Sequence, residues 1–155
     1  MLAETRLERL GIVLPEVGPP GPDDKVMNWR RIGNTIYTSG HGPKRDGGLA
    51  YVGKLGADLT TEDGYAAARL TTINLLATLK QALGDLDRVK QVAKLLVMVN
   101  SAPDYTEQPK VGFGASDLLV EVFGDAGRHA RSAVGMGQLP NNMAVEIEMI
   151  VEVTE

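Results

Sequence analysis

Arg131 stands at the head of a short apolar run, Ala130 to Met136, and beyond it lies a second run in which charge and hydrophobicity alternate. From Val145 to Val153 every odd position is apolar, while the even ones carry Glu146, Glu148, Ile150 and Glu152. Alternation at period two predicts a strand with one face buried and the carboxylates on the other. The Pro140-Asn141-Asn142 turn between the runs predicts a hairpin that sets Arg131 opposite those glutamates. A guanidinium so placed offers two parallel charge-assisted hydrogen bonds to a small carboxylate. Glu146 is the kind of group that activates a water beside such a ligand. Spacing alone leaves the plain readings open. One is an ion pair from Arg131 to Glu146 or Glu148 across the hairpin, worth little if exposed. The other is a merely solvated face for the glutamates. Three like charges on one face nonetheless call for a cation near at least one of them.

His41 and His129 are the only histidines, and there is no cysteine. Two histidines so far apart make no ligand set for zinc, so no metal is expected. The lack of cysteine also removes disulfides and thiol chemistry. His41 lies in Ser39-Gly40-His41-Gly42-Pro43, where glycines let backbone amides come close to a ligand. Taken locally, an ordinary loop after a strand explains the segment as well. Neither Ser39 nor Ser132 forms a nucleophile elbow with His41. Gly112-Phe113-Gly114 and Gly135-Met136-Gly137 lack the spacing and the following lysine of a phosphate loop.

The elements that must hold these groups can be read in order. Glu4 to Leu10 has helical spacing and stops at Gly11. Leu14 to Asp24, with four prolines and two glycines, can only be an extended arm. Met27 to Ile32 and Thr35 to Ser39 flank Gly33-Asn34, a hairpin turn. Gly40 to Gly48 is expected as loop and Leu49 to Leu55 as a short strand. Glu62 to Leu83 is the clearest helix, capped by Thr60 or Thr61, with Tyr65, Ala66, Arg69, Leu70, Ile73, Leu76 and Ala77 repeating at three and four. Val89 to Val99 is apolar enough for a central strand covered on both faces. Ser101 to Lys110 is loop, and Gly112 to Phe123 a second helix that Gly124 ends. The order β-β-(β)-α-β-α-β-β predicts an α+β fold: a mixed sheet with two helices packed on one face.

A chain of 155 residues, 43% hydrophobic, is long enough to bury its own core, so one domain is expected over 1–155. Within it, 1–25 forms the helix and Pro-rich arm and 26–155 the core. A net charge of −4 and thin basic clusters at Arg30-Arg31 and Lys44-Arg45 argue against a nucleic-acid partner. Two Phe, four Tyr and one Trp leave few stacking platforms for single strands. No apolar run is long enough to span a bilayer, and the first residues lack a signal-peptide core. A cytoplasmic protein with no membrane partner is expected.

Arg131-Ser132, Leu139-Pro140 and Val145-Glu146-Ile147-Glu148 together resemble the C-terminal signature of the Rid family, the YjgF-type proteins also called endoribonuclease L-PSP. Thr38-Ser39-Gly40-His41-Gly42-Pro43 resembles the family's T-S-G-x-x-P motif, after the same Gly-Asn turn. The resemblance covers about four fifths of the chain, from Met27 onward. It implies a chorismate-mutase-like fold, a homotrimer with clefts between subunits, and no bound cofactor. It also implies that Arg131 clamps the carboxylate of a substrate and that Glu146 positions water. Ser39, Gly40, His41, Ser116, Ser132 and Ala133 would line the cleft, with backbone groups of Gly40 and Ala133 taking part. The implied reaction is hydrolysis of a reactive enamine or imine, such as 2-aminoacrylate, to a 2-keto acid and ammonia. Positioning an iminium carbon beside a held carboxylate accounts chemically for much of such a rate gain.

Three positions depart from the family pattern. Val26 stands where archetypal deaminases carry a tyrosine, Ser116 where they carry an asparagine, and His41 where they often have glutamine. A non-enzymatic trimeric module that binds a small carboxylic or keto acid is therefore the alternative reading. The endoribonuclease activity of the family's older label ranks third, given the acidic charge.

Overall fold

The computed structural model describes residues 2–155. Seven strands and three α-helices follow one another as α1 (Leu2–Arg9), β1 (Trp29–Ile32), β2 (Thr35–Thr38), β3 (Lys44–Arg45), β4 (Gly48–Leu49), α2 (Thr61–Leu83), β5 (Val89–Asn100), α3 (Gln108–Phe123), β6 (Ala130–Met136) and β7 (Val145–Val153). Five strands form a mixed sheet in the order β1-β2-β7-β5-β6, and β3 pairs with β4 apart from it. Only β5 and β6 run parallel, because α3 carries the chain back between them. The helices α2 and α3 pack on one another and on the same sheet face. The α+β reading stands.

The alternation at the C-terminus is real but the hairpin is not. β7 pairs with β2 on one side and β5 on the other, so β5 lies between β6 and β7. The connection from Gly137 to Ala144, with Asn141 and Asn142 at positive φ, is long enough to step across the end of β5. Turn residues signal a reversal, not which neighbour the returning strand will take.

Other boundaries shift for local reasons. α3 starts at Gln108 because Pro109, read as a loop residue, is tolerated in a first helical turn. Between Gly40 and Leu55 only the short β3–β4 ribbon and isolated bridges at His41, Val52 and Leu55 form. Of the two expected caps of α2, Thr60 is the one used, and it forms a capping box: its hydroxyl accepts from the Asp63 amide at 3.1 Å and the Asp63 carboxylate from the Thr60 amide at 2.9 Å. Its buried stripe runs through Ala67, Ala68, Thr71, Thr72, Leu75, Leu76, Ala77 and Leu79, keeping the expected Leu76 and Ala77 but otherwise lying two positions on from the expected residues. The threonines can be buried because Thr71 and Thr72 donate to the Ala67 and Ala68 carbonyls, each at 2.8 Å. The N-terminal helix joins the core through Ala3 and Leu7, and Arg6 donates to the Val122 carbonyl at the end of α3.

Register divides the sheet into two rows. Val145, Ile147, Met149 and Val151 face the helices with Leu95, Val97 and Val99. The other row carries Ile32, Tyr37, Ile150, Glu148, Glu146, Leu96, Met98 and Val134, and among the described residues no helix packs on it. Ile32 is 71% exposed, Tyr37 45% and Val134 39%. β5 is central, as expected, but one of its faces is open.

Candidate functional site

The residues singled out from the sequence separate into two clusters. The first gathers around the start of β7, where β2 has ended and residues 39–42 run alongside instead. There the His41 amide donates to the Ile147 carbonyl at 2.8 Å and the Ile147 amide to the His41 carbonyl at 3.0 Å. That bridge places His41 in the helix-facing row, opposite Ile147, and the Glu146 side chain leans diagonally across onto Gly40. A Cβ at Gly40 would lie 2.8 Å from Glu146 Cδ and nearer still to Oε2, so only glycine leaves room for this carboxylate. Burial raises the Glu146 pKa above the ordinary carboxylate value, and Glu148 on the same row adds to it. Glu152, by contrast, is salt-bridged to Lys90 at 2.9 Å, which gives the row of glutamates its cation.

The rest of this cluster is built to hold the loop still. Ser39 Oγ donates to the Met27 carbonyl at 2.6 Å, so its hydroxyl is committed to the end of the arm. His41 Nδ1–H donates to the Ser39 carbonyl at 2.7 Å, which leaves Nε2 to accept from the Thr78 hydroxyl on α2 at 2.8 Å. Burial holds the His41 pKa below its usual value, with Lys44 adding to the effect against the pull of the Ser39 carbonyl. A cleft of about 470 Å³ opens here, with Gly40, His41, Glu146, Asn28, Asn74 and Asn141 among its walls.

The second cluster lies on β6, at the other side of the sheet. Arg131 pairs in register with Leu95 and, through it, with Met149, so it points to the helix side. Its guanidinium lies 4.7 Å from the centre of the Phe113 ring, and Nη1 donates to Ser116 Oγ at 3.1 Å. Gly112 lets it cross the helix, since a Cβ there would sit 3.0 Å from Nη1. Burial lowers the Arg131 pKa and Asp117 opposes the change; the group stays charged. Ala133 follows Arg131 on the same row, whereas Ser132 turns to the open face, where Lys94 Nζ donates to it at 3.4 Å.

No ion pair joins Arg131 to Glu146 or Glu148. They occupy opposite rows of the sheet, and Arg131 is offset from Glu146 by three residues and two strands, roughly 14 Å at ordinary strand spacings. The cross-hairpin pairing is therefore wrong for the same reason as the hairpin. Within one chain, Ser39, Gly40, His41 and Glu146 come together, as do Ser116, Arg131 and Ala133; the two groups do not meet. Val26, in the position of the family's tyrosine, is 80% exposed just after the arm. Among the described residues, no group of three or more His, Asp or Glu side chains is close enough to share a metal ion. No helix among them is long and apolar enough to cross a membrane.

Thr78, Phe113 and His129 were not foreseen. His129 lies two residues before Arg131, the same-face spacing of a strand, and that was the legible signal. Phe113 sits three residues before Ser116, on one helix face. Nothing in the sequence points to Thr78.

A five-stranded mixed sheet with its helices on one face, an arginine on the edge strand β6 and a glycine-bounded carboxylate at the start of the middle strand β7 define a small α+β protein. The sequence profile of the YjgF/chorismate mutase-like family, whose description carries an endoribonuclease label, matches residues 4–153. The chain belongs to this YjgF, or Rid, family. It is 48% identical over 147 residues to protein TCP17 of Trypanosoma cruzi, covering 94% of this chain and 91% of that one. The Atu1372 protein of Agrobacterium tumefaciens, of unknown function, is 41% identical, with a TM-score of 0.90 over 98% of this chain and 92% of that one. Escherichia coli TdcF, solved with bound serine, shares the fold at 20% identity and a TM-score of 0.61, over 91% of this chain and 94% of its own.

Proposed function

We propose that the protein hydrolyses small 2-imino acids to 2-keto acids and ammonia, as a homotrimer whose sites form between subunits. One observation carries this reading. The Arg131 guanidinium is anchored from behind by Ser116 and Phe113, and among the described residues it makes no other hydrogen bond. An arginine has five N–H donors, so most of the fork is free for a carboxylate. Glu146 supplies the second function. Its carboxylate, desolvated and facing a cleft, suits proton transfer near neutral pH better than an exposed glutamate does.

The chemistry balances without further groups. The substrate carboxylate binds Arg131, and water attacks the iminium carbon as its C=N π electrons move to nitrogen. Glu146 takes a proton from the attacking water. Glu146 returns that proton to the amine nitrogen of the carbinolamine. The C–N bond then breaks, its electrons leaving with ammonia, while the hydroxyl forms the C=O bond and gives its proton to solvent, which leaves the keto acid and a deprotonated Glu146. Both half-sites are required, and a neighbouring copy is the natural source of the missing half. The open sheet face, with Ile32, Tyr37 and Val134 uncovered, is the kind of apolar surface a second copy buries. A carboxylate ligand also fits what is known of TdcF, solved with serine bound.

The assay generates 2-aminoacrylate enzymatically and follows keto-acid release. Acceleration by the wild type, lost in Arg131→Ala and in Glu146→Gln, supports the proposal. No acceleration, or equal acceleration by Arg131→Ala, defeats it. A binding-only role is the second reading, favoured by the exposed Val26 where archetypal deaminases carry tyrosine. It predicts Arg131-dependent binding of 2-keto acids with no turnover.

A further inference from the structure

His129 is a partly buried titratable group for which the proposed reaction has no use, and its contacts form a directed chain. His129 Nδ1 lies 2.7 Å from the Gly127 carbonyl, which can only accept, so Nδ1 carries the hydrogen and Nε2 is bare. Nε2 lies 2.9 Å from Ser116 Oγ, so it takes the Ser116 proton. The Ser116 oxygen is then left with its lone pairs, and Arg131 Nη1 donates to it at 3.1 Å. The sequence of donors therefore runs Arg131, Ser116, His129, Gly127. Inside a helix, a serine usually gives its proton to the carbonyl four residues back, as Thr71 and Thr72 do on α2. Ser116 gives its proton to the imidazole instead.

We propose that His129 is a positioning residue for the Arg131 clamp, acting through Ser116: by taking the serine's proton it fixes the oxygen as an acceptor and locks the guanidinium plane against Phe113. The inference rests on the reading of Arg131 as a carboxylate clamp. Burial keeps the His129 pKa below its usual value, and Arg131 adds to the effect against the pull of the Gly127 carbonyl, so the bare Nε2 persists at neutral pH. Asp117 on α3 bears on Arg131 and accepts the Tyr65 hydroxyl at 2.7 Å. Asp125 and Arg128 lie 3.9 Å apart on the exposed turn before β6. Among the described residues no carboxylate accepts a hydrogen bond from the Arg131 guanidinium, and Ser116 is the hydrogen-bond partner that orients it.

Substitutions of His129 can separate the two ends of the chain. Asparagine mimics Nδ1 and keeps the bond to Gly127 but falls short of Ser116. Glutamine reaches Ser116 with an acceptor oxygen. The full-length protein is titrated with 2-oxobutanoate at pH 7.5, with melting curves to confirm folding. His129→Asn weakens binding about tenfold, the scale of one hydrogen bond. His129→Gln restores most of it, and His129→Asn adds nothing on a Ser116→Ala background, because both break one chain. Arg131→Ala abolishes binding. If His129→Asn binds like wild type while Arg131→Ala does not, the positioning role is wrong and the clamp stands. An additive double variant, or a glutamine no better than asparagine, also overturns the role. Wild-type affinity in Arg131→Ala would instead overturn the clamp itself.

Discussion

Gly40→Ala tests whether the location of the Glu146 carboxylate matters, as distinct from its presence. The added methyl would sit 2.8 Å from Cδ and 3.0 Å from Cγ of Glu146, and still closer to Oε2. Ordinary carbon contacts are 3.5–4.0 Å, so about an ångström of overlap must be relieved. Glu146 is only partly buried and can swing out into the cleft. The cost in stability is then that of an off-rotamer side chain, about 1 kcal/mol, which lowers Tm by about 2–4 °C in a chain of this size. The cost in catalysis is larger, because a carboxylate displaced by an ångström loses its line to the water; about a hundredfold in kcat is expected. Gly42→Ala is the control, since its methyl meets the flexible Met143 Sδ at 2.6 Å and leaves Glu146 alone. Keto-acid release from enzymatically generated imine is measured beside thermal melts for both variants. Wild-type turnover in a folded Gly40→Ala protein would refute the placement of Glu146 as the water-holding group.

Three further outcomes follow from the same geometry. Gly114→Ala puts a methyl 2.9 Å from the Tyr65 carbonyl carbon, where helices α2 and α3 cross backbone to backbone. A main chain cannot swing aside, so a loss of about 3 kcal/mol is expected in chemical denaturation, with the folded fraction still active. His41 is held neutral by burial, so as pH falls through 6.5 the unfolded chain takes up a proton before the folded one does, and stability declines. His41→Gln should therefore show a shallower loss of Tm between pH 7 and pH 5 than wild type. Glu146 has the opposite sign from a salt-bridged carboxylate. Its raised pKa means the unfolded chain deprotonates first as pH rises past 4.5, so ionisation costs stability above that point. Glu146→Gln should melt higher than wild type at pH 7, and the difference should close at pH 4.

Local pattern made much of this fold legible, and pairing did not. Val145 to Val153 was readable because alternation reports one buried face directly. Which strands flank β7 depends on an eight-residue connection, 137–144, whose path no periodicity encodes. The stripe on α2 was right at Leu76, Ala77 and Leu83 and misplaced elsewhere, because buried threonines look polar in sequence and only the structure shows their hydroxyls satisfied within the helix. Arg131 and Glu146 were picked out by residue type and motif, but their places on opposite rows follow from register with β5. Ser116 was found through the resemblance, whereas the His129 behind it needed α3 docked on β6 before the contact existed.

The central claim is that Arg131 of one copy and Glu146 of another complete each site. Complementation tests it most directly. Arg131→Ala and Glu146→Gln proteins, each inactive alone, are co-expressed in equal amounts and assayed for imine hydrolysis. Random mixing in a closed ring gives both native groups to about one site in four, so close to a quarter of wild-type activity is predicted. Mixed assemblies no more active than either parent would contradict the account.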